Sequence, residues 1–210
     1  MSKIDGTEDL NVLPEKVLLI YHAVIKLLLE GEDINAIKVS TITQRAGIGK
    51  GTAYDYFDSK EDIIAFAIAF QQRKLTEEIR QALLKHDSFA DQLNCLLDIA
   101  RDKLQQQECF IHYVHMKTDR SAISRNIHHI MEKEHIEKYL FVGLLKTLLE
   151  KAIHRGEIRA DLPLDYLVYS VCARILTYIA CIELKDNGEM TPDAMRPYIY
   201  RGIMEEFIVR

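Results

Sequence analysis

The stretch "ITQRAGIGKGTAYDYFDSKEDII", residues 42–64, reads as two short helical segments around a glycine turn, with two tyrosines set close together ahead of a lysine. Val39, Ile42 and Ala46 share one helical face, and Gly47 follows where a left-handed residue commonly ends a helix. Ile48 plugs the turn, and a second helix begins at once with Gly49 as its N-cap. Ala53 and Phe57, four apart, point inward, so the two short helices are locked at a steep angle as a helix-turn-helix. That packing leaves Lys50, Gly51, Thr52, Asp55 and Tyr56 on or near the outer face of the second helix. In a recognition helix the N-terminal end meets base edges. Gly51 would let the backbone approach DNA closely, while Thr52, Tyr54 and Tyr56 offer hydroxyls of different reach to phosphates. Lys60 opens the next helix, where its ammonium and the helix amides can both address a phosphate.

The chain as a whole carries a net charge of -5, so its overall surface does not attract nucleic acid, and any such contact must come from a local patch. Residues 38–60 supply one: Lys38, Arg45, Lys50 and Lys60 against Asp55 and Asp58 leave a local balance of +2. With 48% hydrophobic and 28% charged residues over 210 positions, the composition is that of a globular protein able to bury a core. Cys95, Cys109, Cys172 and Cys181 are widely spaced without a C-x-x-C pair, which suggests buried, reduced thiols rather than a zinc ribbon or a disulfide framework. The N-terminal "MSKIDGTEDLN" lacks the apolar core of a secretory signal, and "VLLIYHAVIKLLLEG", taken as the best apolar run, is too short to span a bilayer. The expectation is a cytoplasmic protein that does not engage a membrane.

Apolar residues recur at three- and four-residue spacing almost throughout, so the fold class is all-α. Residues 1–11 read as a disordered tail. Helices are expected over 14–30, 39–46, 50–56, from Ser59 to about residue 85, and over 88–106, 108–117, 121–154, 163–184 and 193–208. The domain expectation is a helix-turn-helix DNA-binding domain over 12–60 and a larger helical domain over 61–210.

The motif resembles the DNA-binding signature of the TetR family of bacterial transcriptional regulators. Ala46-Gly47-Ile48, Gly51, Tyr54, Tyr56-Phe57 and Lys60-Glu61 match that signature in order. The resemblance implies that Ser40, Lys50, Gly51 and Asp55 lie near bases, and Thr52, Tyr54, Tyr56 and Lys60 near phosphates. The chain departs from the pattern at Lys38 or Val39, where a hydroxyl residue is common, at Thr43, where alanine is common, and at Gly49, where serine is common. Asp55 is the odd residue: a carboxylate near phosphates is repelled unless it accepts a hydrogen bond from cytosine N4.

The same resemblance makes the remainder a ligand-binding and dimerisation domain. "LDYLVYSVCARILTYIACIEL" is apolar nearly all round, and the last helix carries Met195, Ile199, Ile203 and Phe207 along one stripe. With Leu167 and Val171 these are the expected homodimer surface, a four-helix contact about a two-fold axis. For the effector, Cys109, Phe110, Tyr113 and Met116 lie on one side of a short helix that lines the effector pocket in this family's architecture. Arg174 stands mid-helix with Thr177 on nearly the same face, either in an internal salt bridge or as an anchor for an acidic ligand or the dimer partner. His128, Glu132 and His135 share a face, but without a third strong ligand they read as a solvated polar face rather than a metal site.

No G-x-S-x-G, H-E-x-x-H or phosphate-loop motif is present, so the chain is not expected to be an enzyme and no cofactor is expected. The leading reading is a ligand-responsive homodimeric repressor of a palindromic double-stranded DNA operator. The alternative is a helical sensor that has lost specific DNA binding.

Overall fold

The structure, a computed structural model, describes residues 3–103, 125, 129, 132, 140–183 and 190–208. Among these it contains α-helices and no strand: α1 Glu15–Leu29, α2 Val39–Ala46, α3 Lys50–Tyr56, α4 Lys60–Leu83, α5 Phe89–Lys103, α6 Phe141–His154, α7 Leu164–Glu183 and α8 Pro192–Phe207. Leu140 lies in a bend, so the single helix expected over 121–154 is interrupted immediately before α6. The helix expected over 108–117 lies outside the described residues. By compactness the chain forms two units, Met1–Leu75 with Glu108–Leu140, and Thr76–Gln107 with Phe141–Arg210.

The first unit is built on α1, whose Val17, Ile20, Tyr21, Val24 and Leu28 are buried. Against it lie Ile42 and Ala46 of α2, Ala53 of α3, and Ile63, Ile64, Phe66 and Phe70 of α4. The opening turns of α4 therefore belong to this core, and the boundary falls at Leu75 rather than after residue 60. Three aromatic contacts tie the elements together: Tyr21 lies 5.9 Å from Phe57 and 5.2 Å from Phe70, and Phe57 lies 6.5 Å from Phe66. Phe57 is 1% exposed, and burying such a side chain stabilises by about 1.5–3 kcal/mol.

Residues 3–11 correct the expectation of a disordered tail. Ile4 and Leu10 pack on the core, and the Arg73 guanidinium donates to the carbonyls of Gly6 at 2.6 Å and Glu8 at 2.9 Å. An acid-rich segment reads as solvated by composition, but here the backbone carbonyls and two apolar side chains provide the attachment.

In the second unit α7 packs on α5, α6 and α8, and α8 also packs on α5. Leu93, Leu97, Leu145, Leu149, Leu167, Val171, Tyr178, Ile203 and Phe207 are all fully buried or nearly so. Phe89 stacks on Phe207 with ring centroids 6.2 Å apart, and the Phe89 amide donates to Glu157 Oε2 at 2.5 Å. Arg196 of α8 reaches α5, donating to Asp98 Oδ1 at 2.9 Å and to the Asn94 carbonyl. Among the described residues Leu164–Ile182, rather than the α1 run, is long and apolar enough to cross a membrane by length and composition, yet its apolar side is a core face of this unit. Helix α8 starts at Pro192, with Thr191 Oγ1 accepting from the Ala194 amide, so Pro197 sits inside the helix rather than at its first turn.

Candidate nucleic-acid interface

In α2, Val39, Ile42, Thr43 and Ala46 face inward while Ser40, Thr41, Gln44 and Arg45 are exposed. Thr43, where the family pattern has alanine, is 4% exposed, and its hydroxyl donates to the Ser40 carbonyl at 3.2 Å, so the burial leaves no donor unsatisfied. Gly47 has φ +69°, and the two amides after the helix bond back, Gly47 to Gln44 O at 3.2 Å and Ile48 to Thr43 O at 3.0 Å. This pair of bonds closes α2 in the manner of a Schellman motif, with half-buried Ile48 seated on the core. Because the closure turns the chain sharply, α3 begins only at Lys50 and presents a separate face.

Helix α3 buries Ala53 at 0% and Tyr56 at 7% exposure and leaves Lys50, Gly51, Tyr54 and Asp55 exposed, with Thr52 half-buried. Lys50, Gly51, Tyr54 and Asp55 thus form an outward stripe across two turns, and Ser40 of α2 is exposed as well. The Lys50 ammonium lies 6.0 Å from the Tyr54 ring centroid, at the outer limit of a cation–π contact. A Cβ added at Gly51 would meet nothing within 4 Å, so nothing inside the chain requires a glycine there. Asp55 has no hydrogen bond or ion pair among the described residues.

Tyr56 requires a correction. Its position three residues after Ala53 turns it to the inner side, where its ring lies 6.5 Å from Phe57, so it is part of the core rather than an outward phosphate ligand. Charge is also redistributed. Arg45 is paired with Glu30, just past the end of α1, at 2.6 Å, and the Lys60 ammonium donates to the Asn35 carbonyl at 3.3 Å, steadying the loop between α1 and α2. Lys38 and Lys50 are left as exposed cations without an ion pair among the described residues. The start of α4 is capped by Ser59 Oγ, which accepts from the Asp62 amide at 3.0 Å.

Sequence reasoning missed Lys3. Its ammonium donates to the carbonyls of Tyr54 at 2.5 Å and Phe57 at 3.0 Å and pairs with Asp58 at 3.2 Å, while the Ile4 amide donates to Tyr56 O at 3.0 Å. A single lysine in an acidic terminal segment carries no periodic signal that would have disclosed this.

Of the expected effector residues, Cys109, Phe110, Tyr113 and Met116 lie outside the described residues, as do His128 and His135; Glu132 is helical. Arg174 is taken up by Glu206 of α8 at 2.5 Å and by the Ser170 hydroxyl. Burial alone would raise the Glu206 carboxyl, but hydrogen bonds from Tyr166 and Arg174 outweigh it and hold the group below the usual glutamate range. Thr177 is exposed on the outer side of α7 and donates to the Ala173 carbonyl, so it does not face an interior pocket. A groove in the second unit, about 180 Å³, has an apolar floor of Leu83, Leu144 and Leu148 with Arg80 and Lys151 at its sides. It is smaller than the few hundred Å³ typical of sites for drug-sized ligands.

The residues expected at a dimer surface are mostly buried within the subunit itself. Leu167, Val171, Ile199, Ile203 and Phe207 are at most 7% exposed within the subunit, and Met195 is half-buried. The most apolar stripes go to the subunit's own core. The outward stripes are Tyr166, Tyr169, Ala173, Thr177 and Ala180 on α7, and Ala194, Tyr198, Arg201 and Glu205 on α8. Cys95, Cys172 and Cys181 are free and half-buried, and burial pushes the Cys172 thiol up to about 11, which disfavours its thiolate.

The profile of bacterial regulatory proteins of the tetR family matches residues 26–66, which cover the last turn of α1, α2, α3 and the start of α4. No curated protein matches the chain. Among solved structures, the transcriptional regulator FadR of Bacillus subtilis in complex with stearoyl-CoA is similar with a TM-score of 0.66 and 17% identity, covering 89% of this chain and 97% of that one. FadR of Bacillus halodurans, a fatty acid degradation regulator, gives a TM-score of 0.67 at 16% identity over 91% and 96% of the two chains. A transcriptional regulator of Saccharomonospora viridis in complex with choline gives 0.62 at 16% over 92% and 98%. The likeness extends over nearly the whole of both chains, so the helices beyond the matched segment follow the same fold.

Proposed function

We propose that this chain, a member of the tetR family of bacterial transcriptional regulators, works in the cytoplasm as a homodimeric, ligand-responsive repressor of a palindromic operator. The observation that carries the reading is the exposed stripe of α3. Lys50, Gly51 and Tyr54 stand outward on a helix fixed by the Gly47 closure, and Gly51 has no role inside the chain. Laid in a major groove, Lys50 and Asp55 reach base edges, while Thr52, Tyr54 and Lys60 meet the flanking phosphates. Ser40 of α2 approaches the same groove from the side. Two such helices one DNA turn apart read the two halves of a palindrome.

The dimer partner is a second copy meeting the outward stripes of α7 and α8, where Tyr169 and Tyr198 are 68% and 63% exposed. Exposed Ala173 and Ala180, further along α7 from Tyr169, allow close helix approach. The larger helical domain binds the effector. The similar proteins are bound to a long-chain acyl-CoA and to choline, which carry opposite charge, so the fold does not transfer an effector. An effector that binds unequally to two spacings of the reading helices shifts operator affinity.

One observation favours a sensor without specific DNA binding: Arg45 is neutralised by Glu30, and Asp55 places an unpaired carboxylate on the reading face. Selection from a random duplex pool separates the two readings. The repressor enriches one palindrome, whereas a sensor leaves the pool unchanged.

A further inference from the structure

We propose that Lys3 is a positioning residue for the reading helix: its ammonium caps the C-terminal end of α3 and, through the N-terminal arm, anchors that end to α4. A helix of seven residues is marginal on its own, its last carbonyls have no intrahelical partner, and its C-terminal end carries partial negative charge. Lys3 answers all three. Of the three donors of its ammonium, two go to the Tyr54 carbonyl at 2.5 Å and the Phe57 carbonyl at 3.0 Å, and Asp58 Oδ1 pairs with its charge at 3.2 Å. The neighbouring amide of Ile4 takes the Tyr56 carbonyl at 3.0 Å, so consecutive carbonyls at the end of α3 are satisfied by consecutive residues of the arm.

The arm in turn is held. Arg73, on the fourth turn of α4, donates to the Gly6 and Glu8 carbonyls at 2.6 and 2.9 Å. Between these attachments the chain is stiffened locally: Asp5 Oδ1 accepts from the amide and the hydroxyl of Thr7, and buried Gly6 turns with φ +82°. The path Arg73–arm–Lys3–α3 fixes the far end of the reading helix to α4, independently of the covalent turn at Phe57–Ser59. In this proposal Lys3 acts through α3 rather than on DNA directly, since its hydrogen bonds and its ion pair are made to the protein.

The role as a DNA-reading aid rests on the proposed function, whereas the capping contact does not. The experiment uses the full-length protein, a duplex selected by it from a random pool, and the variants Lys3→Met and Lys3→Arg. Lys3→Met should lose about tenfold in affinity, from the lost charge-assisted bonds at the helix end. The slope of log affinity against log salt should stay that of the parent, since no phosphate contact is removed. Amide exchange across residues 53–58 should speed up while α1 is unchanged, and Lys3→Arg should restore both affinity and protection. A shallower slope, by about one ion, would make Lys3 a direct phosphate contact and overturn the proposal. Unchanged affinity with unchanged exchange would overturn it too, and so would exchange that rises equally throughout the unit, which indicates general stabilisation. If the parent selects no duplex, the DNA-binding reading fails, and the exchange measurement alone still decides whether Lys3 holds α3.

Discussion

Replacing Gly51 by alanine separates what the fold needs from what DNA needs. Gly51 is the second residue of α3, its backbone has ordinary negative φ, and a methyl group there meets no atom within 4 Å. Within the free protein the substitution removes only the conformational freedom of the unfolded chain, a gain of about 0.5–1 kcal/mol. For a protein of this length that raises the melting midpoint by about 1–4 °C. On DNA the same methyl stands on the reading stripe between Lys50 and Tyr54. If the backbone at residue 51 lies against the groove, the helix must withdraw by roughly the size of a methyl group, stretching the contacts on either side. Loss of one or two such hydrogen bonds corresponds to about 1.4–2.8 kcal/mol, or 10- to 100-fold in affinity. Thermal melts and fluorescence anisotropy on a selected duplex measure both quantities in one preparation. A variant that is more stable and binds DNA as well as the parent would refute the idea that the glycine serves close approach, and one that is less stable would refute the local geometry.

Three further outcomes follow from the second unit. Tyr198→Arg, on the outward stripe of α8, should convert a dimer to a monomer in sedimentation with little change in melting, because the side chain is 63% exposed; a dimer that survives places the interface elsewhere. Phe207→Ala removes a fully buried ring stacked on Phe89 and should cost about 3–5 kcal/mol in denaturant unfolding, whereas a cost below 1 kcal/mol would contradict its place in the subunit core. Glu206 is held below its unfolded-state value by Tyr166 and Arg174, so it contributes stability above about pH 4.3 that is lost as pH falls further. Glu206→Gln should flatten that acid limb of the melting profile, and an unchanged limb would show that the cluster is not responsible.

Much of the helix-turn-helix is legible in the sequence because its constraints are local. Gly47 and Gly49 bracket a turn that only a few backbone conformations satisfy, and the α2 and α3 boundaries expected at 39–46 and 50–56 are those observed. Contacts between distant residues are harder. Lys3 meets α3 more than fifty positions away, and Arg45 finds Glu30 across a loop, with neither pairing marked by spacing. Tyr56 was misplaced because a tyrosine in a seven-residue helix can face either way until its neighbours are packed. Which faces of α7 and α8 turn outward is hidden in the sequence for a related reason. A helix apolar on most sides offers two stripes, and Ile203 and Phe207 are drawn into the subunit's own core while tyrosines and alanines are left outside. An effector site of the kind proposed is not legible in the sequence, because its residues would answer to a ligand rather than to a backbone rule.

The central claim is that the α3 stripe reads DNA, and it is tested most directly by the salt dependence of binding to a selected duplex and to its scrambled counterpart. Specific recognition predicts at least about a 1,000-fold preference for the selected sequence and a steep fall in affinity from 50 to 200 mM salt, with Lys50→Ala eroding the preference. Equal affinity for both duplexes, or a preference untouched by Lys50→Ala, would contradict the account.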